Sequence, residues 1–381
     1  MVSEINSIMQ LVGRDNVLAT RSCGRYGIDV VKKDGSKSAF FFSAPIRNAA
    51  YSYICRTFKK EEQSYVFVGS SAKVKISSNA LQLIGSRGKV ELNWERPQSF
   101  VLARDESFLR SQDLLITPTS NGVMVKQLCR GEATYSLQTS LKPLLSERIN
   151  SKSFACMRAK FEPHFTMNTL YAESVFTHRM IPAKMQAKRL KEGEYEVQVS
   201  SCEQGIQRIV WEINLYEKKL IQDTTVESAH PRENNAFGAS AFIGKTEELG
   251  LQFLYSRFDF SQIDRKHQQG MEHVLLHIPY YALGNDLKIS APFRRFCSFG
   301  SNWGNKMPFE DYAVPVTRSA GYFTLDISSH VINKYGGVMP NTGIVISPRY
   351  KEGVTVLATG DNYVTPQIIE IQYRKEKGNE K

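Results

Sequence analysis

Enzyme signatures are missing from this 381-residue sequence. It holds no Gly-x-Ser-x-Gly, no His-Glu-x-x-His, no Gly-x-x-x-x-Gly-Lys-Ser/Thr and no Gly-x-Gly-x-x-Gly. Nucleophile elbows, zincin helices, P-loops and dinucleotide folds are therefore not expected. Nor is any pair of carboxylates placed as glycoside hydrolysis would require. Long apolar runs are also lacking. A membrane-spanning helix needs roughly 18–20 such residues, and the most apolar segment, residues 39–46, is broken by Pro45. The first residues carry no basic patch followed by an apolar stretch, so no signal peptide is expected and the chain reads as made in the cytoplasm. Cysteine is sparse: the six residues Cys23, Cys55, Cys129, Cys156, Cys202 and Cys297 stand singly, with no Cys-x-x-Cys pair. Reduced thiols, no essential disulfide and no bound metal are the expectation.

Acidic residues are in deficit, but only in one part. The net charge is +11, and residues 1–219 carry 32 Lys/Arg against 21 Asp/Glu, while residues 220–381 carry 17 of each. The whole excess lies in the first part. A basic surface of this kind either stays solvated or meets an acidic partner. No basic-aromatic strand motif of an RNA-reading sheet is present, so nucleic acid is the less expected partner.

What the sequence does contain is alternation. Val90, Leu92 and Trp94 share one parity, as do Ile209, Trp211, Ile213 and Leu215, and again Val274, Leu276 and Ile278. Period two marks half-buried strands. Hairpins are written around Asp34-Gly35, residues 85–88 and Asn121-Gly122. Gly and Asn punctuate the last third at short intervals, which favours a sandwich or barrel over alternating β and α units. Helical spacing is confined to residues 3–12, one or two turns within 326–335, and a short piece at 141–149. Residues 181–191 form a basic stretch without a clear partner. No Pro- or Gly-rich linker appears, so the parts are expected to abut.

Residues 222–373 hold an ordered set of segments: 223–238 with Asn234-Asn235, 255–261, 303–308 beginning at Trp303, 325–334, and 366–373. Together they resemble the DNRLRE-type β-sandwich, a non-catalytic module of bacterial extracellular and phage-tail proteins. The expected fold is all-β, in two abutting β-rich units. Residues 1–219 form the first, with a subdivision near 141–192. Residues 220–374 form the second, a jelly-roll-like sandwich with one short helix, and 375–381 are a charged tail. The resemblance implies adhesion or carbohydrate binding; combined with the missing signal peptide and the reduced cysteines, it leads to the expectation of an appendage of a phage tail or tail-like particle released by lysis. Partners would be a cell-surface glycan or other subunits of the particle, and a homo-oligomer is compatible with either. The alternatives are a structural assembly subunit without glycan affinity and a nucleic-acid binder using the basic part.

Among candidate residues, Trp303, Asn302, Phe309 and Tyr312 offer the aromatic and polar groups that stack on a sugar ring. In the family the Trp-to-Pro segment anchors the core, so Trp303 is expected to do so first and to face a ligand second. This chain has one extra residue between Trp303 and Pro308. Asp223, Glu227, Glu233, Asn234 and Asn235 form an oxygen-rich run that could take calcium, although turn and capping roles suit it better. His273 and His277 have helical chelate spacing, but on a strand they stand roughly 13 Å apart.

Overall fold

The computed structural model describes residues 3–46, 57–128, 131–145, 149–150, 163–217, 219–312, 314–319 and 321–374. Cys55, Cys129, Cys156 and the tail 375–381 lie outside them. The fold is all-β, built of β-sandwich units. Among the described residues no helix is long and apolar enough to cross a membrane.

One sandwich spans residues 57–215. Its first sheet runs from Lys59–Glu61 through three antiparallel hairpin-linked strands to Gly88–Asn93, then Glu132–Thr139, Glu194–Ser201 and, at its edge, Ala183–Lys191. The facing sheet includes Leu114–Pro118, Gly122–Gln127, Gln207–Leu215 and Phe165–Ser174. The alternating residues recognised above fill the space between them: Val90, Leu92, Trp94, Ile209, Trp211 and Ile213 are all buried in one core. Burying each such side chain stabilises by roughly 1.5–3 kcal/mol. Two readings are corrected here. Residues 141–149 hold no helix where described, but short strands at Pro143–Leu144 and Ile149–Asn150. The basic stretch is the strand Ala183–Lys191, whose lysines alternate with little that could be buried, so its signal was invisible to a hydrophobic period.

The second sandwich is discontinuous. Strand Met271–Ala282 is long enough to serve two sheets: its first part pairs with Tyr322–Asp326 and Ile368–Tyr373, its last residues with Val354–Ala358. Ile368–Tyr373 pairs on its other side with Lys37–Phe42, which continues the sheet into Gly27–Lys32 and Val17–Cys23. The opening hairpins thus complete the sheet of the C-terminal residues. A boundary at residue 219 puts them in the other unit; their backbone pairing runs across it. The continuous apolar run of residues 39–42 gives no hint of which strand it joins, because pairing partners 332 residues apart leave no local mark. Ala39 and Phe41 face the core between the sheets, with Val274, Leu276, Ile278, Ile369 and Ile371. Phe40 and Phe42 face outward, where helix Ser3–Val12 covers them with Ile5 and Ile8. A short helix, Ser328–Val331, opens where Asp326 Oδ1 accepts from Ser328 N at 3.0 Å.

Candidate functional site

The loop that carries Trp303 is held by its own polar residues. Asn302 and Asn305 cap each other: Asn305 N donates to Asn302 Oδ1 at 2.9 Å, and Asn302 N to Asn305 Oδ1 at 2.7 Å. Gly304 N donates to Pro231 O at 2.9 Å. The amide of Asn234 donates to the Ser301 carbonyl at 2.6 Å and to that of Ser298, pinning the loop base. Such local capping satisfies backbone groups that a sheet ladder cannot reach.

On this frame the Trp303 ring lies 5.2 Å from Phe253, which lies 5.7 Å from Phe309. Trp303 is half-buried rather than sunk in the core; it joins a satellite cluster with Phe253, Met307 and Phe309 around Tyr255 and Phe296. Tyr255 Oη donates to Met307 O at 2.7 Å and ties the far end of the loop down. Phe293 is 59 % exposed, and its N–H donates to Pro308 O at 3.0 Å, which sets it beside the same loop. Lys306 Nζ stands 4.0 Å over the Trp303 ring and donates to Trp303 O at 3.1 Å. Partial desolvation lowers its pKa from the ordinary lysine value. The result is an aromatic ledge with a cation at its lip, and ring faces of this kind match both apolar sugar faces and cations.

Asn302, Trp303 and Phe309 are therefore brought together. Tyr312 is not: its hydroxyl is 2.6 Å from Ser329 Oγ and its ring 4.2 Å from His330, at the short helix. The oxygen-rich run is not gathered round one point either. Glu227 Oε1 accepts from Asn235 Nδ2 and Gln252 Nε2, both at 2.7 Å, and its Oε2 faces His230 Nδ1 at 3.1 Å. Asn234 turns its amide hydrogens, not its oxygen, to the loop. Asp223 lies apart, accepting from Gly360 N at 2.6 Å. These are anchoring roles.

His273 and His277 do lie on a strand, with different fates. His273 is exposed, 3.7 Å from Asp326. His277 is buried: Nδ1 is 2.8 Å from Thr324 Oγ1 and Nε2 is 3.1 Å from Glu370 Oε2. Glu370 also meets Lys32 at 3.3 Å and Ser38 at 3.1 Å. Burial would raise its pKa, but His277 and Lys32 outweigh that and hold it down to about 2. This pair floors a cavity of about 460 Å³ rimmed by Val12, Asn16, Thr317 and Ser319.

Sequence reasoning missed a buried polar seam where the two sandwiches meet. Lys219 Nζ lies 2.9 Å from Asp361 Oδ1, 3.1 Å from Gly360 O and 4.2 Å from the Tyr363 ring. Glu212 accepts from Tyr363 N at 3.2 Å. Burial pushes Glu212 up to about 8 against the opposing pull of Lys219. Asp223 and Asp361, buried side by side, are both raised. The signal available was Glu212 and Asn214 interleaved with Trp211 and Ile213. They read as a solvent face and are covered by the other sandwich.

No protein-family model and no curated protein matches the chain. Among solved structures, the N-terminal domain of the Streptococcus gordonii adhesin Sgo0707 matches over 91 % of this chain and 84 % of that one, at 8 % identity and a TM-score of 0.17. A superposition that loose carries no argument about function.

Proposed function

We propose that this chain is a non-catalytic adhesion protein that binds carbohydrate through the ledge of Phe253, Trp303, Phe309 and Phe293, as an appendage of a phage tail or tail-like particle. The observation that carries the reading is the ledge itself. Trp303, on a loop fixed by reciprocal Asn caps, packs with Phe253 and Phe309 from flanking strands, and the exposed Phe293 stands beside that loop, so the surface is preorganised. Rigid aromatic area at low entropic cost is what a weak polar ligand needs. The DNRLRE resemblance supports the same class and the particle setting. A glycan array on the intact protein, repeated with Trp303→Ala, tests it. We expect binding to fall at least tenfold while the chain stays folded, with a stability loss of about 1–3 kcal/mol for a half-buried ring. Unchanged glycan binding in the variant, or none in the wild type, would remove the proposal.

A second reading has its own observation. Strand Ala183–Lys191 is an edge strand exposed along nearly its whole length, with Lys184, Lys188, Arg189 and Lys191 on it. An assembly subunit would offer this edge to an acidic neighbour, whereas lysines also guard edges against pairing. Salt-sensitive capture of a particle subunit, lost on replacing these four by Gln, would favour assembly.

A further inference from the structure

We propose that Cys23, Asp29 and His267 form a binding site for a divalent transition metal, zinc by chemistry, independent of the ledge and contrary to the sequence expectation of no metal. Cys23 and Asp29 come from neighbouring strands of the opening hairpin, where Cys23 pairs with Gly27 and Asp29 follows two residues later on the same face. His267 comes from the short helical turn Arg265–Gln268 that lies over this face. One ligand atom from each residue lies within 4.8 Å of the others.

The local build suits a ligand set. A Cβ at Gly27 would stand 2.6 Å from Cys23 Sγ and 2.6 Å from the Phe41 ring, so only glycine lets the thiol lie down on this face. His267 is packed edge-on against Phe41, with ring centres 5.4 Å apart. Its tautomer follows from its neighbours. Tyr373 Oη donates to His267 O at 3.4 Å, so it accepts from His267 Nδ1–H at 2.9 Å. Nε2 is then left as a bare lone pair. It is buried, has no hydrogen-bond partner, and lies 3.6 Å from Asp29 Oδ1, on the side of the thiol. An unpartnered buried nitrogen costs stability unless something fills its lone pair. A tyrosine holding the other ring nitrogen is the outer support that metal-bound histidines have.

The donor types select the ion. A thiolate, an imidazole and one carboxylate are the ligands of zinc, at about 2.0–2.3 Å. Such bonds place ligand atoms roughly 3.3–3.8 Å apart, so the trio must close by about 1 Å, within reach of side-chain rotation. The Asp29 side chain is one-third exposed, which opens the fourth position to water. Without metal the Cys23 thiol hydrogen-bonds the Asp29 carboxylate, and burial raises its pKa. Zinc would displace that proton, so affinity should rise with pH. Burial lowers the pKa of His267, the direction that favours the neutral imidazole a ligand must be. Of the nearby charges, Asp264 favours a cation and Lys266 opposes it.

Chelator-stripped full-length protein titrated with Co²⁺, then Zn²⁺, tests this. We expect one equivalent of Co²⁺ with a thiolate-to-metal absorption band, displaced by Zn²⁺, and a zinc-dependent rise in melting temperature. Cys23→Ser should abolish the band, and His267→Gln and Asp29→Asn should weaken binding at least tenfold. The metal-free melts of the conservative Cys23→Ser and Asp29→Asn variants report whether the fold is kept; Asp29→Asn alone suffices if Cys23→Ser does not fold. No band in the wild type overturns the proposal. So does a band that survives these substitutions, since it would belong to another thiol.

Discussion

Residues 220–374 expressed alone should not fold cooperatively, because the opening hairpins are part of their sandwich. Deleting residues 1–46 strips the strand Lys37–Phe42 from Ile368–Tyr373 and leaves that strand as a bare edge. It also removes Phe40, Phe41 and Phe42, which are 0 %, 3 % and 1 % exposed. At about 1.5–3 kcal/mol for each buried ring, the three contribute roughly 5–9 kcal/mol. A domain's whole margin is about 5–15 kcal/mol, so the fragment loses most or all of it. Joining residues 3–46 to 219–374 through a flexible linker, with the inserted sandwich left out, should restore a cooperative transition. The cut ends are close enough: Ile46 N donates to Arg25 O at 2.9 Å, and Arg25 Nη2 meets Glu217 at 2.7 Å. Thermal melts by circular dichroism on both versions decide the matter. A 220–374 fragment that melts sharply, at the temperature of the linked version, would show that the hairpins are an appendage and that the pairing argument overstates their role.

Two further outcomes concern pH. Glu370, held at about 2 in the fold and near 4.3 when unfolded, contributes stability that is fully present above about pH 4.5 and is lost as pH falls towards 2. Glu370→Gln should therefore destabilise by about 3 kcal/mol at pH 7, with the difference from wild type shrinking below pH 4 in urea titrations. Glu212 has the opposite sign: its folded value of about 8 lies above its unfolded one, so the fold holds an extra proton and loses stability as pH rises from about 4.5 to 8. Glu212→Gln should flatten that fall and raise the melting temperature at pH 8 relative to wild type; a variant less stable than wild type at pH 8 would count against a protonated Glu212.

Element type was legible wherever burial on one face imposed a period. Helix Ser3–Val12, the hairpin at Asp34-Gly35 and the strands bearing Val90, Trp94, Trp211 and Leu276 follow from local pattern. Strand Ala183–Lys191 was not, because only Met185 on it is buried and one residue sets no period. Partnership was harder to read. Residues 39–42 say only that both faces of a strand are apolar, and nothing near them points to Ile369 or Ile371. The same limit hid the trio of Cys23, Asp29 and His267, two of which were assigned to a different unit from the third. Of the aromatics named from the loop, Trp303 and Phe309 share one cluster, while the chain carries Tyr312 away to Ser329 and His330, which sequence proximity does not reveal.

The discontinuous sandwich also sets a timetable for synthesis. Ser38 meets Glu370, 332 residues later. At roughly 5–20 residues per second on a ribosome, the first hairpin waits about 15–65 s for its partner strand. The inserted sandwich, whose strands are all translated earlier, has time to fold in that interval. Meanwhile Ala39 to Phe42, four buried residues of high strand propensity with no charge among them, stand ready to pair with any open edge. Helix Ser3–Val12 can cover one face of them from the start, but the edge itself is closed only by the last strand to emerge. A nascent chain stalled before residue 368 should thus be the form that recruits chaperones, and crowding of ribosomes on one message the condition that most favours its misassembly.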